Sequence, residues 1–245
     1  MSLAPAADRA YFAAFLDLRG KPGVVAGGGP LAALKAEVLL RSGIRVTVIA
    51  PDACARVSEL AVLGAVRLER RRFQPGDLVG AEIAIAATDD PGVNEAVSAA
   101  ARALRIPVNV ADNAALSSFI MPSVVDRAPL QIAISSGGAS PVLARKVRTI
   151  IEAAVPFGVG RLAALIARWR GRSKERYPDP EARRGFWEEV VDGPIADMAF
   201  SGNEKAAFDA LETKLRDPVS APKGFVSLVG AGPGDPELLT LRALR

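Results

Sequence analysis

Through the first 113 residues, short apolar runs alternate with longer stretches of helical period. Gly23–Ala26 reads as a strand that runs into Gly27-Gly28-Gly29. Leu31, Leu34 and Val38 then recur at helical spacing, so Pro30–Ser42 reads as a helix stopped by Gly43. Ile44–Ile49 is a β-branched run suited to a buried strand. Pro51-Asp52 opens a second helix to about Leu63, Val66–Glu69 is a third strand, and Ile83–Ala87 is a fourth. Asp90 followed by Pro91 is an N-cap with proline at the first helical position, predicting a helix to about Leu104. Pro107–Val110 is the fifth strand. Strands separated by helices pair in parallel, so the expected fold is α/β, a Rossmann-like doubly wound sheet.

The rhythm changes after Asp112. Ser118–Val125 and Leu130–Ser135 are strand-like runs with no helix between them, so they should pair antiparallel across Asp126-Arg127-Ala128-Pro129. Gly137-Gly138 turns the chain, and Ser140-Pro141 starts a helix to about Ala154. Helical patterns continue over Val159–Arg170, Pro180–Val191 and Glu204–Leu215. Asp217-Pro218-Val219-Ser220-Ala221-Pro222 reads as a linker. Beyond it Phe225–Val229, a glycine-rich turn and a helix start at Pro236 are too little to bury a core, and are expected to be the severed start of another domain. The expected division is therefore 1–113, the Rossmann domain; 114–150, a small strand-pair region; 151–216, an α-helical domain; 217–223, a linker; and 224–245, the truncated domain. A lone hairpin is marginal in water, so 114–150 is expected to be a dimerisation region completed by a second copy.

Composition narrows the chemistry. The 245 residues contain no histidine and one cysteine, Cys54. That removes Ser-His-Asp and Cys-His schemes, imidazole-ligated metal sites and disulfide frameworks. Carboxylates, hydroxyls or a bound cofactor must then carry any proton or electron chemistry. The net charge of +4 is compatible with an anionic ligand and too weak to argue for nucleic acid. Basic residues between Arg168 and Arg184 are interspersed with Asp179 and Glu181, an ordinary charged helix surface. No apolar run reaches the roughly 20 residues of a membrane span, and the expected location is the cytoplasm.

Two places carry candidate chemistry. Gly27-Gly28-Gly29-Pro30-Leu31-Ala32 fits G-x-G-x-x-A between a strand and a helix. There Gly27 permits the tight turn, Gly29 lets a pyrophosphate approach the backbone, and the helix N-terminus attracts the phosphates. Asp52, beside Pro51 past the second strand, is the acidic candidate for the adenosine ribose, which favours NAD over NADP. In an open α/β sheet ligands sit beyond the carboxyl ends of the strands, where Thr88-Asp89 and Asn109-Val110-Ala111-Asp112 both fall.

These residues resemble a known family. Phe12 to about Leu215 is similar to the N-terminal module of siroheme synthase, the precorrin-2 dehydrogenase and sirohydrochlorin ferrochelatase family. The resemblance is carried by the glycine loop with Lys35-Ala36, by Ala86-Ala87-Thr88-Asp89-Asp90 with Val93-Asn94, and by Val108-Asn109-Val110-Ala111-Asp112. It continues through Ser118-Phe119-Ile120-Met121-Pro122-Ser123, Asp126-Arg127, Ser135-Ser136-Gly137-Gly138-Ala139-Ser140-Pro141 and Val142-Leu143-Ala144-Arg145. Leu228–Leu241 resembles the opening of a uroporphyrinogen-III methyltransferase domain. Leu34 and Pro30 depart from the family, which often has Arg and a polar residue there.

The resemblance implies two reactions on one tetrapyrrole: NAD-dependent oxidation of precorrin-2 to sirohydrochlorin, then insertion of iron(II), a substrate, to give siroheme. Methylation with S-adenosylmethionine would belong only to the full-length protein. Asp112 is implied as general base, with the macrocycle supplying the metal's four nitrogens and no protein metal site. Arg127 and Arg145 are expected to meet substrate carboxylates, with Asn109 and Ser136 at the substrate; a phosphate on Ser136 would compete for the same arginines. An intertwined homodimer is implied, with no nucleic-acid or membrane partner. Two alternatives stand beside this reading: an NAD(P)-linked dehydrogenase of a small molecule, and a non-catalytic nucleotide-sensing module.

Overall fold

The computed structural model describes residues 11–216. The expected linker 217–223, and the strand, glycine turn and helix start after it, lie outside these residues. The chain forms two compact units, Met1–Met121 and Pro122–Arg245.

The first unit is built on a five-stranded parallel sheet. Its strands are β1 (Pro22–Ala26), β2 (Arg45–Ile49), β3 (Val66–Glu69), β4 (Ile83–Ala86) and β5 (Val108–Val110), in the order β3-β2-β1-β4-β5. Helices α1 (Pro30–Arg41), α2 (Ala55–Val62) and α3 (Pro91–Ala103) connect them. Side chains alternate along each strand, so each face has its own core. Val25, Val46, Val48 and Ile85 pack with α1 and α2; Val24, Ala84 and Val108 pack with α3. The strand order reverses between β1 and β4, and the crevice of such a fold opens above that pair.

Local chemistry explains where elements start. Asp90 is the N-cap of α3, accepting from the N–H groups of Gly92 (2.9 Å) and Val93 (3.3 Å). The second helix does not open at Pro51-Asp52. Those residues form a bend, and α2 begins at Ala55 behind Cys54, whose N–H donates to the Gly28 carbonyl at 2.8 Å. A 3-10 turn, Pro75–Leu78, not anticipated from the pattern, buries Leu78 under the second core layer.

The strand expected from Ser118 begins only at Ser123. Residues before it cover the edge of β5 without continuing a ladder: the Ser118 and Ser117 hydroxyls accept from the N–H groups of Val108 (2.8 Å) and Val110 (2.9 Å). These hydroxyls satisfy donors that a sixth strand would have taken.

The second unit opens with the antiparallel pair β6 (Ser123–Arg127) and β7 (Leu130–Ile134), joined by Ala128-Pro129. Asp126 and Arg127 therefore belong to the strand and not to its turn. Helices α4 (Pro141–Ala154), α5 (Val159–Arg176), α6 (Pro180–Val191), α7 (Pro194–Phe200) and α8 (Glu204–Arg216) follow. Helix α5 runs past the expected end at Arg170 because Trp169 and Ser173 are buried on one continuous face. Helix α7, unexpected from the pattern, carries Pro194 at its start and buries Ile195, Ala196 and Ala199. Trp169, Phe186, Val190 and Leu211 form the core of this unit, with Phe208 against Trp169 and Tyr177 against Phe186.

Candidate functional site

The glycine loop leaves β1 at the switch point. Gly27 has φ +123°, and a Cβ there would strike the Ala87 carbonyl at the end of β4. A Cβ on Gly28 would strike the Asp52 carbonyl. Both glycines are buried and serve the crossing of backbone segments. Gly29 differs: it is exposed, and nothing lies within 4 Å of the position its Cβ would take. Gly29 is also the N-cap of α1, with Pro30 at the first helical position, no side-chain cap and no acidic residue in the first turn. The helix therefore presents N-terminal N–H groups to open space, the arrangement that accepts a phosphate. Ala32 and Ala36, fully buried, let α1 lie close to the sheet. These features fit a dinucleotide: open approach at Gly29, uncapped N–H groups and exposed Leu31. Asp52 is exposed in the bend after β2, beside Pro51.

Beyond β4, the Thr88 hydroxyl lies 2.9 Å from Asn94 Oδ1 and accepts from the Asp90 N–H at 3.2 Å, while Asn94 Nδ2 donates to the Thr88 carbonyl at 2.9 Å. This lock fixes the turn and leaves Asp89 exposed. Past β5, Asn113 N–H donates to the Val110 carbonyl at 3.2 Å and closes a β-turn. Asp112 is the third residue of that turn, exposed, with φ +55°. Aspartate tolerates this left-handed backbone better than most side chains. Asn109, by contrast, is buried, and its Nδ2 donates to the Phe119 carbonyl at 3.1 Å, so its amide holds the 117–121 segment against β5.

One cation at this edge was not singled out as a site residue from the sequence. Lys35 on α1 is half-buried, with Nζ 3.3 Å from the Met121 sulfur. Burial pushes its pKa down, and the charge of Asp112 opposes that. Its place in the glycine-loop helix is legible in the sequence, but its contact with Met121 requires the fold.

The second unit places the remaining candidates. Arg127 is buried and engaged: it stacks on Phe157 at 4.1 Å, donates to the carbonyls of Asp126 (3.1 Å) and Glu152 (3.4 Å), and lies 3.6 Å from the Glu152 carboxylate. Within this chain its charge is committed to α4, not to a free surface. Arg145 on α4 is exposed. The Ser136 hydroxyl donates to the Ser140 carbonyl at 3.0 Å and accepts from the Ser140 N–H at 3.1 Å, closing the turn that leads into α4. A cleft of about 440 Å³ among α5, α7 and α8 is lined by none of these candidates. Among the described residues no group of three or more His, Cys, Asp and Glu side chains is placed to hold a metal ion. No single described helix is long and apolar enough to cross a membrane; α4 and α5 pass that test only as a pair bent by 69°.

A Rossmann-type sheet with an open, uncapped glycine loop defines a dinucleotide-binding protein, and comparison with known proteins sharpens that class. Residues 14–123 match an NAD(P)-binding family, 127–154 the central region of a sirohaem biosynthesis protein, and 158–215 the sirohaem synthase dimerisation region. The chain is homologous to the siroheme synthases. It is 51% identical to that of Nitrosospira multiformis over 236 residues, 94% of this chain and 50% of the relative. The siroheme synthase of Methylococcus capsulatus is 48% identical over 96% of this chain and 50% of its own length. The chain thus spans about half the length of these curated relatives. Among solved structures, SirC, a precorrin-2 dehydrogenase, superposes with a TM-score of 0.64 at 23% identity, covering 83% of this chain and all of that one; the two share a fold. The dimerisation match falls on the helices of 158–215, after the 114–150 segment where the lone hairpin leads dimerisation to be expected.

Proposed function

We propose that this chain oxidises precorrin-2 to sirohydrochlorin with NAD and inserts iron(II) into the product to give siroheme. The observation that carries the reading is the exposed carboxylate of Asp112, held in a left-handed turn beyond β5 on the sheet that bears the open glycine loop. Homology to siroheme synthases across nearly the whole chain supports the substrate class.

The N–H groups at the start of α1, with Gly29, Pro30 and Leu31, would hold the pyrophosphate of the cofactor, while Asp52 beside Pro51 suits a ribose hydroxyl. Thr88 and Asp89 stand past the adjoining strand. When bound, NAD supplies the hydride acceptor. Asp112 then takes the proton that accompanies loss of the hydride, so that precorrin-2 gives up two electrons and two hydrogens in all. In the second reaction iron(II) displaces two pyrrole protons; the same exposed carboxylate, having released its first proton to solvent, takes them one at a time and passes each to solvent, while the macrocycle supplies the metal's nitrogens. Arg145, exposed on α4, provides a cation for substrate carboxylates. The assignments of Asn109, Ser136 and Arg127 to substrate rest on the family resemblance, and the internal hydrogen bonds of all three make them candidates for shaping rather than contacting.

A homodimer is part of the reading. None of the residues of α4 is buried in a single chain, and Val142, Leu143 and Ile150 are exposed on it. A second copy would cover them; the matched dimerisation region, 158–215, supports a homodimer but lies on the helices after α4. Methylation with S-adenosylmethionine is assigned to the longer relatives' remaining half. The cytoplasm suits a chain with one cysteine and an NAD-linked reaction.

Anaerobic incubation of the protein with precorrin-2 and NAD tests the reading. The sirohydrochlorin absorbance should rise together with NADH, and subsequent iron(II) should convert the product to siroheme. Binding of NAD with no change in precorrin-2 would remove the proposal.

A further inference from the structure

The ammonium of Lys35 is the one feature of the sheet's ligand edge that the proposed chemistry leaves without work. It sits half-buried on α1, and its hydrogen-bond contact is the thioether of Met121, a weak acceptor, at 3.3 Å. Among the described residues it forms no ion pair. An ammonium carries three donors and prefers charged oxygen acceptors, and a partly desolvated one without them is costly. The charge of Asp112, in the turn after β5, opposes the effect of that lost hydration. Met121, which the ammonium meets, packs against the same core cluster as Ala111, the residue immediately before Asp112.

We propose that Lys35 is a binding residue for one carboxylate of the tetrapyrrole, anchoring the macrocycle next to Asp112. The assignment rests on the functional reading above, since it takes the polycarboxylate as substrate. Anion chemistry alone would also admit a phosphate of the dinucleotide. Two features favour the substrate. The uncapped N-terminus of α1 already offers N–H groups to phosphate at Gly29–Leu31, whereas Lys35 lies further along the helix, against Met121. Met121, which its ammonium meets, packs against the same core cluster as Ala111, the residue before Asp112, the group the substrate must reach.

The test measures equilibrium binding without turnover. Affinity for sirohydrochlorin is read from its visible absorbance, and affinity for NAD separately by calorimetry, in the wild-type protein, Lys35→Met and Lys35→Arg. Lys35→Met should weaken sirohydrochlorin binding roughly tenfold or more while leaving NAD binding unchanged. Lys35→Arg, which keeps the charge, should recover most of the affinity. Because Met removes a poorly solvated charge, its melting temperature should not fall, so lost affinity cannot be assigned to unfolding. Unchanged sirohydrochlorin affinity in Lys35→Met overturns the assignment, and a loss confined to NAD moves Lys35 to the cofactor and overturns it as well. A wild-type protein that binds NAD but no tetrapyrrole defeats the functional reading itself, and the assignment with it.

Discussion

The carbonyl oxygen of Ala87 occupies the space that a side chain on Gly27 would need. This contact joins the end of β4 to the loop after β1 at the point where the strand order reverses, and it sets Gly27 apart from the open Gly29. Gly27→Ala must relieve both a backbone clash and a φ of +123°, so it should destabilise the first unit by roughly 3 kcal/mol or more. Gly29→Ala meets open space at an ordinary φ of −77° and should leave stability within about 0.5 kcal/mol. Its methyl would nevertheless stand where a pyrophosphate approaches, and NAD affinity should fall roughly tenfold. Urea denaturation and NAD titration of both variants check the pair. A stable Gly27→Ala protein would contradict the close crossing of the loop at the Ala87 carbonyl.

Asp112→Asn offers a clean separation of chemistry from fold. Asparagine tolerates the left-handed backbone at φ +55° as well as aspartate does, so the turn closed by Asn113 should persist. The amide cannot accept the proton. Conversion of precorrin-2 should fall roughly 100- to 10,000-fold, with NAD affinity intact. Normal turnover in the variant would place the base elsewhere.

The parts of the fold written in local pattern were legible in the sequence. Five β-branched or small-residue runs separated by helical periods define the parallel sheet, and Asp90-Pro91 marks the start of α3 to the residue. What failed was set by contacts distant in sequence. The start of α2 depends on Cys54 N–H reaching Gly28, and the non-strand at Ser118 depends on hydroxyls meeting the edge of β5. The candidate site shows the same division. Asp112 and the glycine loop follow from strand ends, which pattern locates. The burial of Arg127 under Phe157 and the nearness of Lys35 to Met121 are tertiary facts, and a charge in a sequence carries no sign of either.

Asp77 gives a pH-dependent test of the segment between β3 and β4. Its carboxylate accepts from both terminal nitrogens of Arg71, at 2.9 and 2.7 Å, and from the Gln74 N–H at 2.7 Å. The Arg71 guanidinium, opposed by partial burial and helped by that N–H, holds the carboxyl below the usual aspartate range. A lowered folded-state value means that the stabilisation is complete at neutral pH and is lost as pH falls below the ordinary aspartate range through the folded value. Arg71 remains partly exposed, which limits the pair to about 1 kcal/mol. Asp77→Asn should therefore be less stable than wild type by about that amount at pH 7, and the gap should close in acid. A gap that widens as pH falls would contradict the sign.

The apolar face of α4 makes the oligomeric state testable by single substitutions. Leu143 and Ile150 are each more than half exposed, and α4 rests on a two-stranded hairpin that supplies little core of its own. Exposure of this kind along one helix has its simplest explanation in coverage by a second copy. Placing a carboxylate there would bury an unpaired charge in the dimer and cost nothing in the monomer, so Leu143→Asp or Ile150→Asp should shift the protein from dimer to monomer in light scattering. Cofactor binding reports on the first unit, whose glycine loop these changes do not touch, and NAD affinity should survive. Loss of tetrapyrrole turnover alongside retained NAD binding would tie the dimer to the substrate. A wild-type chain that stays monomeric at every concentration would instead remove the dimer from the proposed function and leave the exposed face of α4 to another occupant.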